Sequence, residues 1–278
     1  MIRLIATDLD DTLLNAQSDL TPRTLAALGR AMDAGVRITL SSGRMTEAML
    51  PFAERIGVNA PMILFNGALI CDPREGRTIF SNPIPLKTAR RVAKMVEDMG
   101  VYLQAYPGEG YFCSRRTEHT LGYEKSIRVP CAELGMPVSE WMTGDMIKML
   151  AIDTPERIDE VQRALRAAFP AGVSFMKSKA HYLEIVAEGI DKGRALDALR
   201  TRLGLERDEV MAFGDGQNDA AMLAAAGWGV AVENAVPECK AAAKLIAPPN
   251  TEDGVAQVIE KCLEDGRIAK ECAHGQGN

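Results

Sequence analysis

The sequence predicts an α/β protein in which a parallel-sheet core is interrupted by an inserted α+β domain. Strand and helix patterns alternate at the start of the chain and again from residue 189 onward, as in sheets with helical crossovers. Between these stretches, paired strand patterns replace the alternation. The chain has 278 residues, enough for roughly two domains. We therefore assign residues 1–82 and 189–278 to the core, and residues 83–188 to the insertion.

The first half of the core has the order β-α-β-α-β. A short apolar run over residues 2–6 predicts a buried strand. Thr21 is a suitable N-cap and Pro22 suits the first helical position, while Gly35 ends that helix. Further along, we expect strands at 36–40 and 62–65, a helix ending near residue 56, and a hairpin of strands 68–71 and 78–80.

The insertion and the second half of the core follow in order. For the insertion we expect helices at 86–99 and 155–169, strands at 101–105, 110–114, 146–152, 173–176 and 182–186, and a less regular stretch up to about residue 144. For the core we expect helices at 192–203, 217–226 and 252–263, and strands at 210–213, 229–232 and 245–247. The tail, residues 274–278, is expected to be disordered.

Composition excludes several classes of protein. The net charge of −6 argues against nucleic acid or an anionic membrane as the main partner, because both require clustered Lys and Arg. No apolar segment approaches the roughly 20 residues of a membrane span. The start of the chain lacks a signal-peptide pattern, so we expect a cytoplasmic protein. The six cysteines form no C-x-x-C pair, which argues against a zinc site or a disulfide framework.

Three carboxylates, Asp8, Asp10 and Asp11, follow the first strand directly. Carboxylates that lie close together raise each other's pKa, and burial raises it further, so such a cluster usually accompanies a cation. The carboxyl ends of strands are also where open α/β sheets bind ligands. A helix N-cap after the strand would explain an Asp equally well. These residues alone leave both interpretations open.

Polar residues also stand at the ends of other predicted strands. They are Ser42, Asn66 and Asp215, with Lys192 at the start of a helix. Asp8 and Asp215 could bind a divalent metal, for which all-oxygen ligands indicate Mg²⁺. The Ser42 hydroxyl could donate to a phosphoryl oxygen, and the Lys192 ammonium could neutralise the remaining negative charge. Phosphoryl transfer requires mainly this positioning and charge stabilisation.

Four short motifs resemble the signatures of the haloacid-dehalogenase-like (HAD) superfamily. They are Asp8-Leu9-Asp10-Asp11-Thr12-Leu13, Ser42-Gly43-Arg44, Lys192-Gly193 and Gly214-Asp215-Gly216-Gln217-Asn218-Asp219. Their order and spacing extend over residues 8–219. The insertion resembles the type IIB cap of the Cof-like phosphatases, and Asn66-Gly67-Ala68 is also similar to a Cof-like feature. The resemblance implies a Rossmann-like core that carries a cap for substrate specificity.

The resemblance also implies roles for individual residues. Asp8 would be the nucleophile that forms an aspartyl-phosphate, and Asp10 would be the general acid and base. Substrate or phosphate would contact Ser42, Gly43, Arg44, Asn66, Lys192 and Asn218. The metal would be held at Asp8, Asp10 (through its carbonyl), Asp215 and Asp219. Arg44 could equally be an ordinary arginine at a helix start.

The leading functional hypothesis is a Mg²⁺-dependent phosphatase for small phosphomonoesters, with sugar phosphates as the favoured class. A phosphomutase with the same core is the main alternative, and a non-enzymatic phospho-receiver is a weaker one. The partner would be a small-molecule phosphate ester, and the protein a monomer or homodimer. In the cap, Lys148, Lys179 and His181 are candidates to face the leaving group. Glu233 stands where Cof-like sequences usually have Gly.

Overall fold

A computed structural model describes residues 1–269, so the predicted disordered tail at 274–278 lies outside the described residues. The strands are β1 (Leu4–Thr7), β2 (Arg37–Leu40), β3 (Met62–Leu64), β4 (Leu69–Asp72), β5 (Arg77–Ser81), β6 (Tyr102–Tyr106), β7 (Phe112–Cys113), β8 (Ala132–Glu133), β9 (Lys148–Ile152), β10 (Val173–Lys179), β11 (Tyr182–Ala187), β12 (Val210–Gly214), β13 (Trp228–Val232) and β14 (Leu245–Ala247). The helices are α1 (Pro22–Asp33), α2 (Thr46–Ile56), α3 (Leu86–Asp98), α4 (Glu118–Ile127), α5 (Val138–Trp141), α6 (Pro155–Ala168), α7 (Lys192–Arg202), α8 (Ala220–Ala225), α9 (Pro237–Ala242) and α10 (Gly254–Glu264).

The core sheet has five strands in the order β14-β13-β12-β1-β2, and all neighbours are parallel. Its strands are short and apolar, and β1 is buried along its whole length. Such strands are typical of a parallel sheet that is covered by helices on both faces. The structure therefore confirms the predicted α/β fold with a parallel-sheet core.

The register of the core sheet brings distant parts of the chain to one edge. Thr7 lies beside Leu40 on one side and Phe213 on the other. The amide of Asp8 donates to the Phe213 carbonyl at 3.0 Å, and the Ser41 amide donates to the Thr7 carbonyl at 2.9 Å. Because parallel strands end together, residues that follow β1, β2 and β12 meet at their carboxyl ends.

A second sheet of six strands, in the order β10-β11-β9-β6-β7-β8, belongs to the stretch between residues 102 and 187. It is antiparallel except for the short pair β7 and β8. Helices α3 and α6 pack on it. We refer to this α+β unit as the cap. Its proposed boundaries, residues 83 and 188, stay a prediction.

Two local features differ from the sequence-based expectations. The strand β3 meets the core sheet only through one parallel bridge between Ser41 and Ile63, and then pairs antiparallel with β4 in a separate three-stranded sheet. The stretch expected to be less regular contains helix α4. Its buried residues are Thr120, Tyr123 and Ile127, and a stripe with Thr and Tyr does not stand out as apolar.

Side chains cap the starts of helices α1 and α7. Thr21 caps α1 by accepting from the Thr24 amide, with Pro22 at the first helical position, as predicted. Asp191 similarly caps α7 by accepting from the Arg194 amide. Over residues 1–269, no helix is both long enough and apolar enough to span a membrane.

Candidate active site

Three carboxylates converge at the carboxyl edge of the core sheet. Asp8 follows β1, Asp215 follows β12, and Asp219 lies one turn beyond Asp215. Each offers an oxygen, and these three oxygens lie within 4.8 Å of one another. Asp8 and Asp219 are buried and Asp215 is half-buried. This is a compact all-oxygen group, the donor chemistry that hard divalent cations prefer.

Lys192 lies directly behind two of these carboxylates. Its Nζ donates to Asp8 Oδ1 and to Asp219 Oδ1, both at 2.6 Å, and the side chain is fully buried. Lys192 is the first residue of α7, so the helix begins with an ammonium aimed at the site. The next residue must be glycine, because a Cβ on Gly193 would clash with the Ala221 carbonyl of the neighbouring helix α8.

The pKa values of these groups follow from burial and from the shared charges. Burial raises the pKa of Asp8 well above its ordinary value, Lys192 lowers it, and the neighbouring carboxylates, Asp219 first, raise it again. Burial and Asp219 raise the pKa of Asp215 to about 7, although the hydrogen bond from Thr12 opposes this. The carboxylates outweigh burial at Lys192 and raise its pKa, so it remains an ammonium. A bound cation would lower the pKa of these carboxylates, as the Lys192 ammonium does.

Asp219 also orders the loop that follows β12. Its Oδ2 accepts from the amides of Asp215 and Gly216 at 3.1 and 2.9 Å, while Oδ1 accepts from Lys192. Both of its oxygens are therefore engaged by donors of the protein. Thr12 Oγ1 donates to Asp215 Oδ1 at 2.6 Å and fixes that carboxylate from the other side.

Asp10 and Arg44 form a two-point ion pair. Arg44 Nε lies 2.7 Å from Asp10 Oδ2, and Nη2 lies 2.6 Å from Oδ1. The Arg44 side chain is 9% exposed, whereas that of Asp10 is 44% exposed. Arg44 is thus a buried residue that directs Asp10 and not an ordinary surface arginine, while its predicted contact with substrate stays a prediction. A paired fork of this kind sets orientation as well as charge.

Ser42, Asn66 and Asn218 form the third side of the site. The Asn218 side chain donates to Asn66 Oδ1 at 3.0 Å. The backbone amide of Asn66 in turn donates to the backbone carbonyl of Ser42 at 3.0 Å. Phe65 and Asn66 both have positive φ, of 50° and 58°. Asn tolerates this conformation, whereas a bulky Phe rarely adopts it. Such backbone strain is typical of functional sites.

A cavity of about 140 Å³ lies above these residues, and the cap forms its other wall. Nine of the ten predicted site residues line it: Asp8, Asp10, Ser42, Gly43, Arg44, Asn66, Asp215, Asn218 and Asp219. The tenth, Lys192, lies behind the carboxylates and does not reach the cavity wall. The structure thus brings the predicted residues together in one place, while their roles stay a prediction.

The cap contributes a wall that the sequence predicted poorly. It consists of Tyr123, Ser126, Ile127, Ser178, Lys179, Tyr182 and Glu184. Of the three cap candidates, Lys179 lines the cavity, while Lys148 is fully buried behind the wall and His181 is not part of it. Tyr182 and Glu184 are two residues apart on β11 and therefore point to one face. The sequence feature that could have indicated this wall is Glu184, a charged residue within the otherwise apolar strand β11.

Three hydrogen bonds join the cap to residues 43–47 of the core. Lys148 Nζ donates to the Gly43 carbonyl at 3.0 Å, and Arg44 Nη2 donates to the Ser126 carbonyl at 3.4 Å. The Gly110 amide donates to Glu47 Oε1 at 2.8 Å. The segment that carries Ser42 and Gly43 is thus also a docking point for the cap.

Comparisons with known proteins agree with this architecture. The sequence model of the haloacid dehalogenase-like hydrolases matches residues 5–259. The pyridoxal phosphate phosphatase of Escherichia coli is 29% identical over 271 residues, covering 92% of this chain and 97% of that protein. A haloacid dehalogenase-like hydrolase from Bacteroides thetaiotaomicron is 28% identical with a TM-score of 0.87, covering 94% and 99% of the two chains. A subclass IIB sugar phosphatase shares the fold, with a TM-score of 0.80, 24% identity and coverage of 93% and 98%.

The chain therefore belongs to the haloacid dehalogenase-like hydrolases, and its cap and relatives identify the Cof-like, type IIB branch of that family. Within this family it is an enzyme of the phosphoric monoester hydrolase type. The resemblance inferred from the four motifs is confirmed, and the non-enzymatic receiver hypothesis is wrong.

Proposed function

We propose that this enzyme is a Mg²⁺-dependent phosphatase that hydrolyses small phosphomonoesters, with sugar phosphates as the favoured class, through an aspartyl-phosphate on Asp8. The observation that carries the proposal is the geometry around Asp8. This carboxylate stands at a strand end, 2.6 Å from the ammonium of Lys192 and close to Asp215 and Asp219. Few other chemistries require a nucleophilic carboxylate in such a cluster.

The donor set supports Mg²⁺ as the cofactor. Carboxylates crowded within 4.8 Å are unfavourable without a cation, as the raised pKa values of Asp8 and Asp215 indicate. Asp8, the Asp10 carbonyl and Asp215 would hold the ion. Asp219, whose oxygens are already engaged, would orient the loop that presents Asp215. When bound, Mg²⁺ supplies positive charge to the phosphoryl oxygens.

In the first step, an Asp8 oxygen attacks phosphorus and the bond from phosphorus to the leaving oxygen breaks. Asp10 donates a proton to that oxygen, so that an alcohol departs. Burial raises the pKa of Asp8, and Lys192 opposes this by favouring the ionised form that a nucleophile requires. The Ser42 hydroxyl and the Gly43 amide would bind the phosphoryl oxygens.

In the second step, Asp10 removes a proton from water, which attacks phosphorus. The bond between Asp8 and phosphorus then breaks, phosphate leaves, and Asp8 is restored. Arg44 contacts both oxygens of the Asp10 carboxylate beside the cavity, which fixes its orientation for this step. The cap would limit the entry of bulk water during the reaction.

The cap wall supports polyol phosphates as substrates. Most of its residues carry hydroxyl, ammonium or carboxylate groups, and these can bind an alcohol that bears several hydroxyls. Two of these residues, Tyr123 and Tyr182, are aromatic and could also pack against a ring. A substrate panel should therefore include pyridoxal 5′-phosphate, the substrate named for the Escherichia coli relative.

A cytoplasmic location is part of the proposal. The cysteines of residues 1–269, which are Cys71, Cys113, Cys131, Cys239 and Cys262, are all buried and free. Free thiols are typical of a reducing compartment.

The decisive experiment is a hydrolysis assay on a panel of phosphate esters, with Mg²⁺ and after chelation by EDTA. We expect phosphate release that requires Mg²⁺ and is strongest with one group of hexose or pentose phosphates. Undiminished hydrolysis in EDTA would contradict the metal assignment. With a hexose 1-phosphate, release of free phosphate supports a phosphatase, whereas formation of hexose 6-phosphate would identify a phosphomutase instead.

A further inference from the structure

A fully buried lysine of the cap connects the cap wall to the loop that carries Ser42 and Gly43. Lys148 begins β9, and its side chain is 1% exposed. Its Nζ lies 2.9 Å from Glu184 Oε2 and donates to the Gly43 carbonyl at 3.0 Å. The ammonium also lies 4.6 Å from the centre of the Tyr106 ring, within the range of a cation–π contact.

This lysine remains charged despite its burial. Burial alone would lower the pKa of Lys148, but the carboxylate of Glu184 and the nearby Tyr123 outweigh it and raise the pKa above its ordinary value. The bond to Gly43 is therefore a charge-assisted hydrogen bond, which is stronger than a neutral one.

Glu184 is the partner that reaches the cavity. It lines the cavity wall although the residue is only 5% exposed. Its Oε1 accepts from the exposed Ser178 hydroxyl at 2.9 Å, and among residues 1–269 no donor makes a well-oriented hydrogen bond to Oε2. Oε2 is buried beside Lys148, so the acceptor capacity left for a ligand is on Oε1, since a carboxylate oxygen can accept two hydrogen bonds.

Stability alone does not explain this pair. Apolar residues of similar volume often replace a buried ion pair without loss of stability, because removing two charges from water offsets most of their attraction. The pair joins the cavity wall of the cap to a peptide of the core, which is a geometric role that apolar side chains would not supply.

We propose that Lys148 and Glu184 form a positioning pair: Glu184 accepts a hydroxyl of the leaving group, and Lys148 holds the Gly43 peptide in place for the phosphoryl group. Lys148 touches neither part of the substrate and acts through its two partners. The inference rests on the proposed function, since it assumes that the Gly43 amide binds the phosphoryl group. It narrows the substrate class to phosphate esters whose alcohol carries a further hydrogen-bond donor.

The first test measures competitive inhibition by inorganic phosphate, which occupies the phosphoryl site without a leaving group. The variant Lys148→Met/Glu184→Gln removes both charges together, so that no buried charge is left unpaired. We expect its inhibition constant to rise about tenfold, the size of one charge-assisted hydrogen bond. The matched control is Lys94→Met/Asp98→Asn, which removes an exposed lysine–carboxylate pair of the cap. Its inhibition constant should equal that of the wild type.

The second test compares kcat/KM for glycerol 1-phosphate and for propyl phosphate, which differ by the hydroxyls of the alcohol. The wild type should have the higher kcat/KM for glycerol 1-phosphate. In the double variant, the ratio of the two kcat/KM values should be about tenfold smaller. The single variant Ser178→Ala keeps the ion pair and removes only the hydroxyl that orients Glu184. It should lose part of the preference, with an unchanged inhibition constant for phosphate.

The outcomes separate the inference from the proposed function. If both variants are folded, hydrolyse propyl phosphate and keep wild-type values in both tests, the positioning pair is wrong and the phosphatase stands. If the double variant does not fold, an unchanged preference in Ser178→Ala overturns the role of Glu184. If the wild type hydrolyses neither ester nor p-nitrophenyl phosphate with Mg²⁺, the proposed function itself fails.

Discussion

The two walls of the active-site cavity are built in different ways. The core wall consists of residues that directly follow strands, such as Asp8, Ser42 and Asp215. The cap wall consists of residues from the face of a strand and one side of a helix, such as Glu184 and Tyr123. The core wall is therefore defined by short motifs, whereas the cap wall depends on which face of each element turns inward. We expect changes to the core wall to affect all substrates alike, and changes to the cap wall to alter the choice of substrate.

The largest effect should follow Asp8→Asn. This change removes the nucleophile and should reduce kcat on the order of 10⁴-fold or more for every substrate. The folded protein raises the pKa of Asp8, so its ionised form costs folding free energy at neutral pH. The neutral amide should therefore leave the melting temperature unchanged or higher. Phosphate release and thermal melting check both parts, and a melting temperature clearly below that of the wild type would contradict the second.

Asp10→Asn should have the next largest effect. Loss of the general acid and base should lower kcat on the order of 100-fold. The loss should be smaller for p-nitrophenyl phosphate, whose leaving group needs no proton, than for an alkyl phosphate. Asp33→Asn is a matched control, because Asp33 is an exposed carboxylate that does not line the cavity. Equal losses for both esters would contradict the role of Asp10 in the first step.

Arg44→Lys tests how strongly the core wall depends on geometry. Lysine keeps the charge but cannot make the two-point contact to Asp10, so kcat should fall about tenfold while the overall fold is kept. Arg55→Lys provides a control near the end of α2, since Arg55 is an exposed partner of Asp19. A fall in kcat for both variants would show that the effect is not specific to Asp10.

The smallest effect should come from the cap wall. Tyr182→Phe removes one hydroxyl and should raise KM about threefold for substrates that bind it, with kcat nearly unchanged. Tyr102→Phe is the matched control, since the Tyr102 hydroxyl bonds to Thr120 and Tyr102 does not line the cavity. A similar change in kcat for every ester would show that the cap wall also takes part in the chemical step, which would contradict the expected difference between the two walls.

The sequence predicted the core far better than the cap. Asp8, Ser42 and Asp215 come after apolar runs, so their positions near strand ends are visible in the sequence, and nine of the ten predicted site residues line the cavity. The link between Arg44 and Asp10 was not predicted, because it joins residues 34 positions apart through side-chain geometry. Lys148 was one of three candidates to face the leaving group, but its burial behind Glu184 is a property of the sheet packing that periodicity does not reveal. Helix α4 was missed because its inward face includes a threonine and a tyrosine.

The contacts between the cap and residues 43–47 have a consequence for the end of the catalytic cycle. The cap rests on the same short segment that carries Gly43 and Arg44. A cap that swings away must break its bonds to this segment, and the peptide beneath the product loses its support at the same moment. Exit of the alcohol and release of phosphate should then each require this movement, so that turnover of good substrates, which release limits, should fall as the solvent becomes more viscous.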